Sequence, residues 1–402
     1  ILRTTGEIGA EYNSKVYLIG GMVRDLLLQR KNDDLDFVVE GSLEKLVPVL
    51  ADEYDAEWSY NEQFETANIK LPSGYNLDLA TTRKEYYPYP GSLPEVKKTD
   101  ILEDLFRRDY TVNALAVSLN PDRWGIMFDF FNGRKDVENK LLRVLHRFSF
   151  LDDPTRIIRG LRLAVSHQLY FEKETDNLIK EALKMGEFNQ LSVSRVFKEL
   201  KALFDNNLDK RMLQLLSQYD IFKLIGKSID LSEKIKSEVN KLEYYLEYFS
   251  KKDYNVKEWL LRMAVLLQNL SNEIYEKSNF KNFEKEILNI EQTESELSII
   301  KNTTDINELV SKLDHLSKER IILMLVKSEN KEVKERIMNY IEELSQVELE
   351  INGNDIQEMG LKPGPEIKEI LEEILKAKLK GKINKRKEEI SYAEQIINQG
   401  LE

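Results

Sequence analysis

Cysteine is absent from the 402 residues of this sequence, which excludes disulfide bonds and thiolate metal sites. The absence agrees with a reducing compartment, and we expect a cytoplasmic protein. No run of about 18 apolar residues occurs, so the sequence predicts no membrane span, and no signal peptide precedes the first predicted strand. The three histidines lack the paired spacing of a zinc site.

The rest of the composition is that of a globular protein with a highly charged surface, since 42% of the residues are hydrophobic and 32% are charged. The net charge of −12 argues against a general nucleic-acid coat. A local basic surface stays compatible with phosphate binding, because salt screens charges over about 8–10 Å. The first residue is Ile and residues 1–11 already have a helical pattern, so we expect the sequence to be part of a longer chain.

Two regions of different character follow one another along the chain. Residues 1–140 have a mixed pattern, with strands predicted at 16–19, 35–39, 68–71 and 76–80, a helix at 22–28 and a loop at 86–94. From residue 140 to about 345, apolar residues recur at three- and four-residue spacing, which predicts amphipathic helices. A tail begins near residue 349. We therefore predict the α+β class and domains at 1–140, 141–207, 208–348 and 349–402.

Asp34 and Asp36 lie at the start of an apolar strand and are two residues apart, which places both side chains on one face. Two such carboxylates can hold hard cations such as Mg²⁺, which activate a hydroxyl and neutralise a triphosphate. The alternative is a solvated turn of acids. Asp78 lies inside another apolar strand, where it serves either as a third carboxylate and general base or as a structural hydrogen-bond acceptor.

The Gly20-Gly21 turn lies just upstream of these acids. Glycine lets the backbone approach a phosphate, and the start of the helix that follows favours an anion. Arg24 adds a guanidinium that can bind phosphate oxygens in a fork. The turn and the two acids together predict a phosphate-binding site beside a metal site.

Several motifs resemble, in order along the chain, those of the polymerase-β-like nucleotidyltransferases, specifically the class II tRNA nucleotidyltransferase and bacterial poly(A) polymerase family. They are GGMVRD (20–25) with DLD (34–36), RRDYTVNA (107–114), DFFNG (129–133), DDPTR (152–156), SVSR (192–195) and the tail turn GLKPGP (360–365). The resemblance implies an α+β fold with a polymerase-β-like nucleotidyltransferase head and a small mixed sheet. It implies an all-α neck, body and tail after the head.

The resemblance also implies roles for individual residues. Asp34 and Asp36 would hold Mg²⁺ and, with Asp78, form the catalytic set. Asp153 and Arg156 would read the base in place of a template, although Asp152 stands where the family usually has Glu. The remaining nucleotide-binding residues would be Gly20, Gly21, Arg24, Arg107, Arg108, Asp109, Asn113, Arg159 and Arg162. In the family, a flexible loop at the position of residues 84–100 helps to switch from C to A.

The tail carries a basic run that is either a solvated helix face or a clamp on the backbone of the outer acceptor–TΨC arm of tRNA. Its members are Lys376, Lys378, Lys380, Lys382, Lys385, Arg386 and Lys387. The leading hypothesis is addition of CCA to the tRNA 3′ end from CTP and ATP. Open alternatives are A-only or CC-only addition, a poly(A) polymerase, and, from another class, an inactive tRNA-binding module. The sequence leaves the oligomeric state open.

Overall fold

The computed structural model describes residues 1–185, 188, 190–229, 231–252, 254–268, 272–278 and 280–399. The chain divides into two compact units, Ile1–Asp230 with Glu276–Asn279 and Leu231–Tyr275 with Phe280–Glu402. The division into four domains at residues 140, 207 and 348 stays a prediction.

The strands lie in the first unit. They are β1 (Lys15–Ile19), β2 (Leu35–Glu40), β3 (Glu57–Asn61), β4 (Thr66–Lys70), β5 (Asn76–Thr81), β6 (Arg83–Tyr86), β7 (Glu95–Lys98), β8 (Ala116–Ser118), β9 (Met127–Phe128), β10 (Leu141–Leu142) and β11 (Tyr170–Phe171). Seven of them form one sheet in the order β3-β4-β5-β2-β1-β8-β9. Strands β2 and β5 are parallel and the other neighbours in this sheet are antiparallel, so the predicted mixed sheet is confirmed.

The helices of the first unit are α1 (Leu2–Glu11), α2 (Gly21–Leu27), α3 (Leu43–Glu53), α4 (Ile101–Phe106), α5 (Gly133–Glu138), α6 (Ser149–Asp152), α7 (Thr155–Ser166), α8 (Lys173–Met185), α9 (Val193–Phe204) and α10 (Lys210–Gln218). Helices α1 and α3 pack against the sheet. The core beside β1 contains Tyr17, Ile19, Val38, Leu105 and Ala116, all less than a tenth exposed.

The four predicted strands correspond to β1, β2, β4 and β5, whose apolar residues are buried. Strand β3 lies at the edge of the sheet and is largely exposed, so it lacks the apolar pattern that identifies a buried strand. The predicted loop at 84–100 contains a hairpin, in which β6 pairs with the fully exposed β7. The loop prediction is therefore wrong for β6 and β7, the two strands of this hairpin, and right for residues 87–94.

Helix α7 carries the arginines of the predicted base-reading region and packs against α9, and its Ile157, Ile158 and Leu161 are buried. Gly160 allows its close approach to Tyr110, since a Cβ at Gly160 would lie 2.0 Å from the Tyr110 hydroxyl. That hydroxyl donates to the Arg156 carbonyl oxygen at 2.8 Å. The buried Tyr110 therefore fixes the position of α7 against the strand-bearing part of the same unit.

The chain after residue 230 is helical. Its helices are α11 (Glu233–Ser250), α12 (Glu258–Leu267), α13 (Asn272–Lys277), α14 (Asn282–Leu288), α15 (Ile290–Asn302), α16 (Ile306–Asp314), α17 (Lys318–Lys327), α18 (Lys331–Glu342), α19 (Gly353–Glu358), α20 (Pro365–Leu379) and α21 (Arg386–Gln399). Isoleucines of α19 and α20 form the core of the tail. None of the helices in the described residues is long and apolar enough to cross a bilayer.

Candidate active site

The candidate metal-binding acids lie at the start of β2 and on the neighbouring strand β5. Asp36 and Asp78 are register partners in the parallel pair, so their side chains point to the same face of the sheet. Asp34 precedes the first residue of β2 and is exposed. Burial raises the pKa of Asp36, and the negative charges of Asp78 and Asp34 raise it further against the opposing charge of Arg108. These three carboxylates therefore repel one another.

The surroundings of Asp78 agree with both roles that the sequence left open, a third carboxylate beside the metal site and a structural hydrogen-bond acceptor. Asp78 neighbours Asp36, and its Oδ1 accepts a hydrogen bond from Asn68 Nδ2 at 2.8 Å. The Asn68 amide holds one oxygen of Asp78 and leaves the other for a cation or a proton. A catalytic role of Asp78 stays a prediction.

The chemistry of these acids fits a divalent cation. Among the described residues, no group of three or more His, Cys, Asp or Glu side chains is arranged as a complete metal site. Mg²⁺ in nucleotide-transferring enzymes is commonly held by one or two carboxylates together with substrate phosphates and water. A cation at Asp34 and Asp36 would also relieve the repulsion that raises the pKa of Asp36. The two acids therefore fit a cation site that the nucleotide completes.

A cavity of about 640 Å³ is lined by Asp36 and by all the predicted nucleotide-binding residues. They are Gly20, Gly21, Arg24, Arg107, Arg108, Asp109, Asn113, Asp153, Arg156, Arg159 and Arg162. Eight arginines and only four carboxylates line it, so the cavity is locally positive although the chain carries a net charge of −12. Such a cavity attracts a triphosphate.

A second cavity, of about 500 Å³, contains Asp78 and Asn68. Asp36, Arg107 and Arg108 line both cavities, which places the acids beside the arginines. Asp34 does not line either of these two cavities.

Arg108 has one donor group left for a ligand, Nη1, which lies beside Gly20 and makes no hydrogen bond within the described residues. Its Nη2 donates to Asp104 Oδ2 at 3.1 Å, whereas its Nε is buried without an acceptor in the described part of the chain. Gly20 has φ +67°, and a Cβ there would lie 3.2 Å from Arg108 Nη1. Because Gly20 has no side chain, there is room beside the guanidinium of Arg108, which lines the same cavities as Asp36.

Arg107 and Arg24, by contrast, are bound by protein acceptors. Arg107 donates to Asp104, to Glu85 Oε1 at 3.0 Å and to the Arg83 carbonyl oxygen at 3.0 Å. Arg24 is buried and donates from Nε and Nη2 to the two oxygens of Asp25, each at 2.9 Å, and from Nη1 to Asn113 Oδ1 at 2.6 Å. The expected fork from Arg24 to phosphate oxygens is thus directed at Asp25 instead.

Asp109 and Asn113 form a buried pair with Arg159. Asn113 Nδ2 donates to Asp109 Oδ1 at 3.1 Å, and Arg159 Nε donates to Asp109 Oδ2 at 3.0 Å. Burial alone would raise the pKa of Asp109, but Arg159, Asn113 and Arg156 lower it to about 2. The Asp109 carboxylate is ionised at neutral pH, and its contact with Arg159 holds the middle of α7.

The predicted base-reading residues are both anchored by protein contacts. Asp153 Oδ1 accepts from the Thr155 hydroxyl at 2.7 Å and lies 3.0 Å from Arg195 Nη2. Arg156 donates to Ser149 Oγ at 2.8 Å and to the Arg107 carbonyl oxygen at 2.7 Å. These contacts use two of the five N–H groups of Arg156 and fix the plane of its guanidinium. Arg162 is freer, with Glu199 Oε2 at 3.9 Å.

Three residues of this region are not among the predicted site residues. Arg195 lines the cavity and also donates to the Gly91 carbonyl oxygen at 2.7 Å. It belongs to the SVSR motif, which was the available signal. His167 lines the cavity and Asn32 lies beside Asp25. Neither belongs to one of the recognised motifs, and the partner of His167 is 142 positions away.

The structure separates the basic residues of the tail into two groups. Lys378 is mostly buried against the fully buried Glu389, and Lys376, Lys380 and Arg386 pair with Glu373, Asp305 and Asp355. Lys382, Lys385 and Lys387 are exposed and have no ion pair among the described residues. These three are the cations most available to a phosphate backbone.

Comparison with known proteins supplies the context for these residues. Residues 16–143 match the model of the poly A polymerase head domain. The chain is 30% identical to the A-adding tRNA nucleotidyltransferase of Geobacter sulfurreducens over 99% of its own length and 47% of that protein, so it spans about half of that relative. It is 30% identical to the CCA-adding enzyme of Alteromonas mediterranea, over 76% of this chain and 69% of that protein. The Thermotoga maritima CCA-adding enzyme complexed with tRNA aligns with a TM-score of 0.73 and 26% identity, over 98% of this chain and 94% of that one.

Proposed function

This chain belongs to the tRNA nucleotidyltransferase and poly(A) polymerase family, and from that premise we propose that it adds nucleotides without a template to the 3′ end of tRNA. The observation that carries the proposal is the single arginine-rich cavity that contains all eleven predicted nucleotide-binding residues and borders Asp36. We propose CTP and ATP as the nucleotides and CCA as the product.

In the proposed reaction the tRNA 3′-hydroxyl attacks the α-phosphate of the nucleotide, a new phosphodiester bond forms, and pyrophosphate leaves. Mg²⁺ held by Asp34 and Asp36 would supply charge neutralisation and activation of the hydroxyl. Asp78, next to Asp36 on β5, would accept the hydroxyl proton. Arg108 would donate to the triphosphate from Nη1, which its contact with Asp104 leaves free.

Base selection would depend on Asp153 and Arg156, which present acceptors and donors at fixed positions in the cavity. Arg195 and Thr155 hold Asp153, and Ser149 holds Arg156. A base that offers the complementary pattern of donors and acceptors is bound, whereas one that leaves these buried groups unpaired is rejected. Protein side chains would thus do the work of a template.

Addition of the terminal A alone is a second candidate. It is favoured by the A-adding relative, which aligns over 99% of this chain, compared with 76% for the CCA-adding relative of equal identity. Both candidates require ATP, and they differ in the use of CTP. The tail, with exposed Lys382, Lys385 and Lys387, would bind the tRNA backbone in either case.

One assay tests the function and separates the candidates. The protein is incubated with tRNA lacking CCA, with tRNA ending in CC, or with an unrelated oligonucleotide, and with each labelled nucleotide separately and together. Incorporation of C and then A on tRNA supports CCA addition, and A on CC-ended tRNA alone supports A addition. Incorporation of C only points to a CC-adding enzyme, and a run of A on any RNA to a poly(A) polymerase. Binding of tRNA without incorporation overturns the catalytic proposal.

A further inference from the structure

Asp25 is a buried carboxylate that the reaction proposed above does not use. It accepts hydrogen bonds from three different side chains. Arg24 donates to both of its oxygens, Asn32 Nδ2 donates to Oδ2 at 2.7 Å, and His167 Nε2 lies 3.0 Å from Oδ1. A buried carboxylate with this many partners fixes their positions relative to one another.

Asn32 connects Asp25 to the metal-binding acids. While its Nδ2 donates to Asp25, its Oδ1 accepts from the backbone N–H of Asp34 at 2.8 Å. Asp34 is otherwise exposed and precedes the first residue of β2, so the strand ladder does not hold it. The Asn32 side chain is therefore the contact that ties the Asp34 backbone to the buried part of the unit.

His167 connects Asp25 to helix α7. It is the residue that ends this helix, and its Nδ1 lies 2.7 Å from Ser166 Oγ. Burial and the charge of Arg24 lower the pKa of His167 to about 4, so the ring is neutral at pH 7. A neutral ring that donates Nε2–H to Asp25 leaves Nδ1 as an acceptor beside Ser166 Oγ, whose hydroxyl also donates to the Arg162 carbonyl oxygen at 2.8 Å.

A second path leads from Asp25 to the same helix. Arg24 donates to Asn113, Asn113 donates to Asp109, and Asp109 accepts from Arg159 in the middle of α7. The two paths close a ring of hydrogen bonds through α7. The helix that carries the proposed base-reading residue Arg156 is thus held to Asp25 at two points, and Asp25 is held to Asp34 through Asn32.

We propose that Asn32 is a positioning residue, which sets the Asp34 backbone relative to helix α7 through Asp25 and His167. This inference rests on the proposed function, because the distance between the cation site and helix α7 matters only if the proposed reaction takes place there. Asn32 does not line the nucleotide cavity, so its effect on the nucleotide is indirect. Residues that orient metal ligands commonly change metal affinity by about 10- to 100-fold when they are replaced.

The test measures cation binding apart from catalysis. Mn²⁺ binding is followed by electron paramagnetic resonance for the full chain, for Asn32→Ala, and for the control Asn139→Ala. Asn139 is an exposed asparagine that only caps a carbonyl of its own helix. We expect Asn32→Ala to bind Mn²⁺ about 10- to 100-fold more weakly and the control to match the parent. ATP binding in EDTA is expected to be unchanged in both variants. Equal Mn²⁺ affinity of Asn32→Ala and the control overturns the proposal.

Two further variants test the path through Asp25. His167→Phe removes the contact between Asp25 and the end of α7 and leaves Asn32 in place. We therefore expect a smaller loss of Mn²⁺ affinity than for Asn32→Ala. The double variant should lose about as much as Asn32→Ala alone, because both changes act along one path. If the two losses of Mn²⁺ affinity multiply in the double variant, the proposed path through Asp25 is overturned. If Asn32→Ala fails to melt cooperatively, Asn32→Ser takes its place, since it keeps an acceptor for the Asp34 N–H but is too short to reach Asp25.

Asp34→Ala separates this inference from the proposed function. It should abolish both Mn²⁺ binding and nucleotide incorporation. If Asp34→Ala keeps both, the metal assignment fails whatever Asn32 does. If Asp34→Ala loses both and Asn32→Ala loses neither, the metal assignment stands and the positioning role of Asn32 is overturned.

Discussion

Arg159 donates its Nε–H to Oδ2 of Asp109 at 3.0 Å, and its Nη2 lies 2.9 Å from the same oxygen, although the two residues are fifty positions apart. Asp109 is 5% exposed, whereas the Arg159 side chain is 40% exposed, so the carboxylate is the buried partner of this ion pair. The contact joins the RRDYTVNA motif to helix α7 inside one unit. Several predictions depend on which arginines are bound by the protein in this way and which are not.

The first prediction concerns stability at acid pH. The folded state keeps Asp109 ionised to a pKa of about 2, whereas the ordinary value is 3.8. The stabilisation is therefore complete above pH 3.8 and is lost as the pH falls through 2. We expect Asp109→Asn to lower the free energy of unfolding by about 2 kcal/mol between pH 5 and 7, with a smaller difference below pH 3.8. Urea denaturation across this range measures it, and the exposed Asp122→Asn is the control. A difference that does not change between pH 7 and 3 would contradict the prediction.

The second prediction separates the two descriptions of Asp78. Asp78→Ala removes a carboxylate next to Asp36 together with a hydrogen bond, whereas Asn68→Ala removes only the hydrogen bond. If Asp78 takes the proton, Asp78→Ala lowers the rate of incorporation by about 100-fold or more, and Asn68→Ala changes it by only a few-fold. Single-turnover rates at saturating ATP measure this. Equal losses in the two variants would assign Asp78 a structural role.

The third prediction distinguishes two adjacent arginines. Arg108 has free donors beside the Gly20 turn, whereas Arg107 is bound by Asp104, Glu85 and the Arg83 carbonyl oxygen. We expect Arg108→Ala to lower kcat/KM for ATP by about 100-fold and to lower the melting temperature less than Arg107→Ala does, because Arg108 gives Asp104 one hydrogen bond and Arg107 gives it two. Arg107→Ala should mainly destabilise the protein, because it leaves the buried Asp104 short of partners. Steady-state kinetics and thermal melting of both variants test this prediction. A larger loss of kcat/KM for Arg107→Ala, with a larger drop in melting temperature for Arg108→Ala, would refute it.

The fourth prediction concerns the tail. Lys382, Lys385 and Lys387 are exposed, whereas Lys378 is mostly buried against Glu389. Replacing the three exposed lysines with alanine should weaken tRNA binding and reduce the slope of log K against log salt by about 3, one for each lost phosphate contact. Lys378→Met serves as the comparison and should lower the melting temperature without changing the salt slope. An unchanged slope in the triple variant would exclude these lysines from the RNA contact.

Buried elements of the fold could be read from the sequence, and exposed ones could not. Strands β1, β2, β4 and β5 carry apolar residues that the core requires, and they were predicted within a few residues. Strand β3 and the hairpin of β6 and β7 are held by backbone pairing with little burial. Backbone pairing leaves no periodic pattern in the side chains, so these strands were missed.

The candidate site was predictable as a set of residues but not as a set of contacts. All eleven predicted nucleotide-binding residues line one cavity, because the motifs that contain them could be recognised in order along the chain. Membership in a motif does not show which of these residues have donors free for a ligand. Arg24 and Arg108 both stand in such motifs, yet Arg24 is bound to Asp25 and Asn113 while Arg108 keeps free donors.

The sequence alone determined the α+β class, the mixed sheet followed by helices, and the family, since local periodicity and ordered motifs carry that information. Only the tertiary structure decided which charged groups pair with each other. His167 meets Asp25 across 142 positions, and no local pattern marks that contact. The physical reason is that periodicity records which face of an element is buried. A hydrogen bond between distant segments depends on where the folded backbone brings two side chains to within about 3 Å.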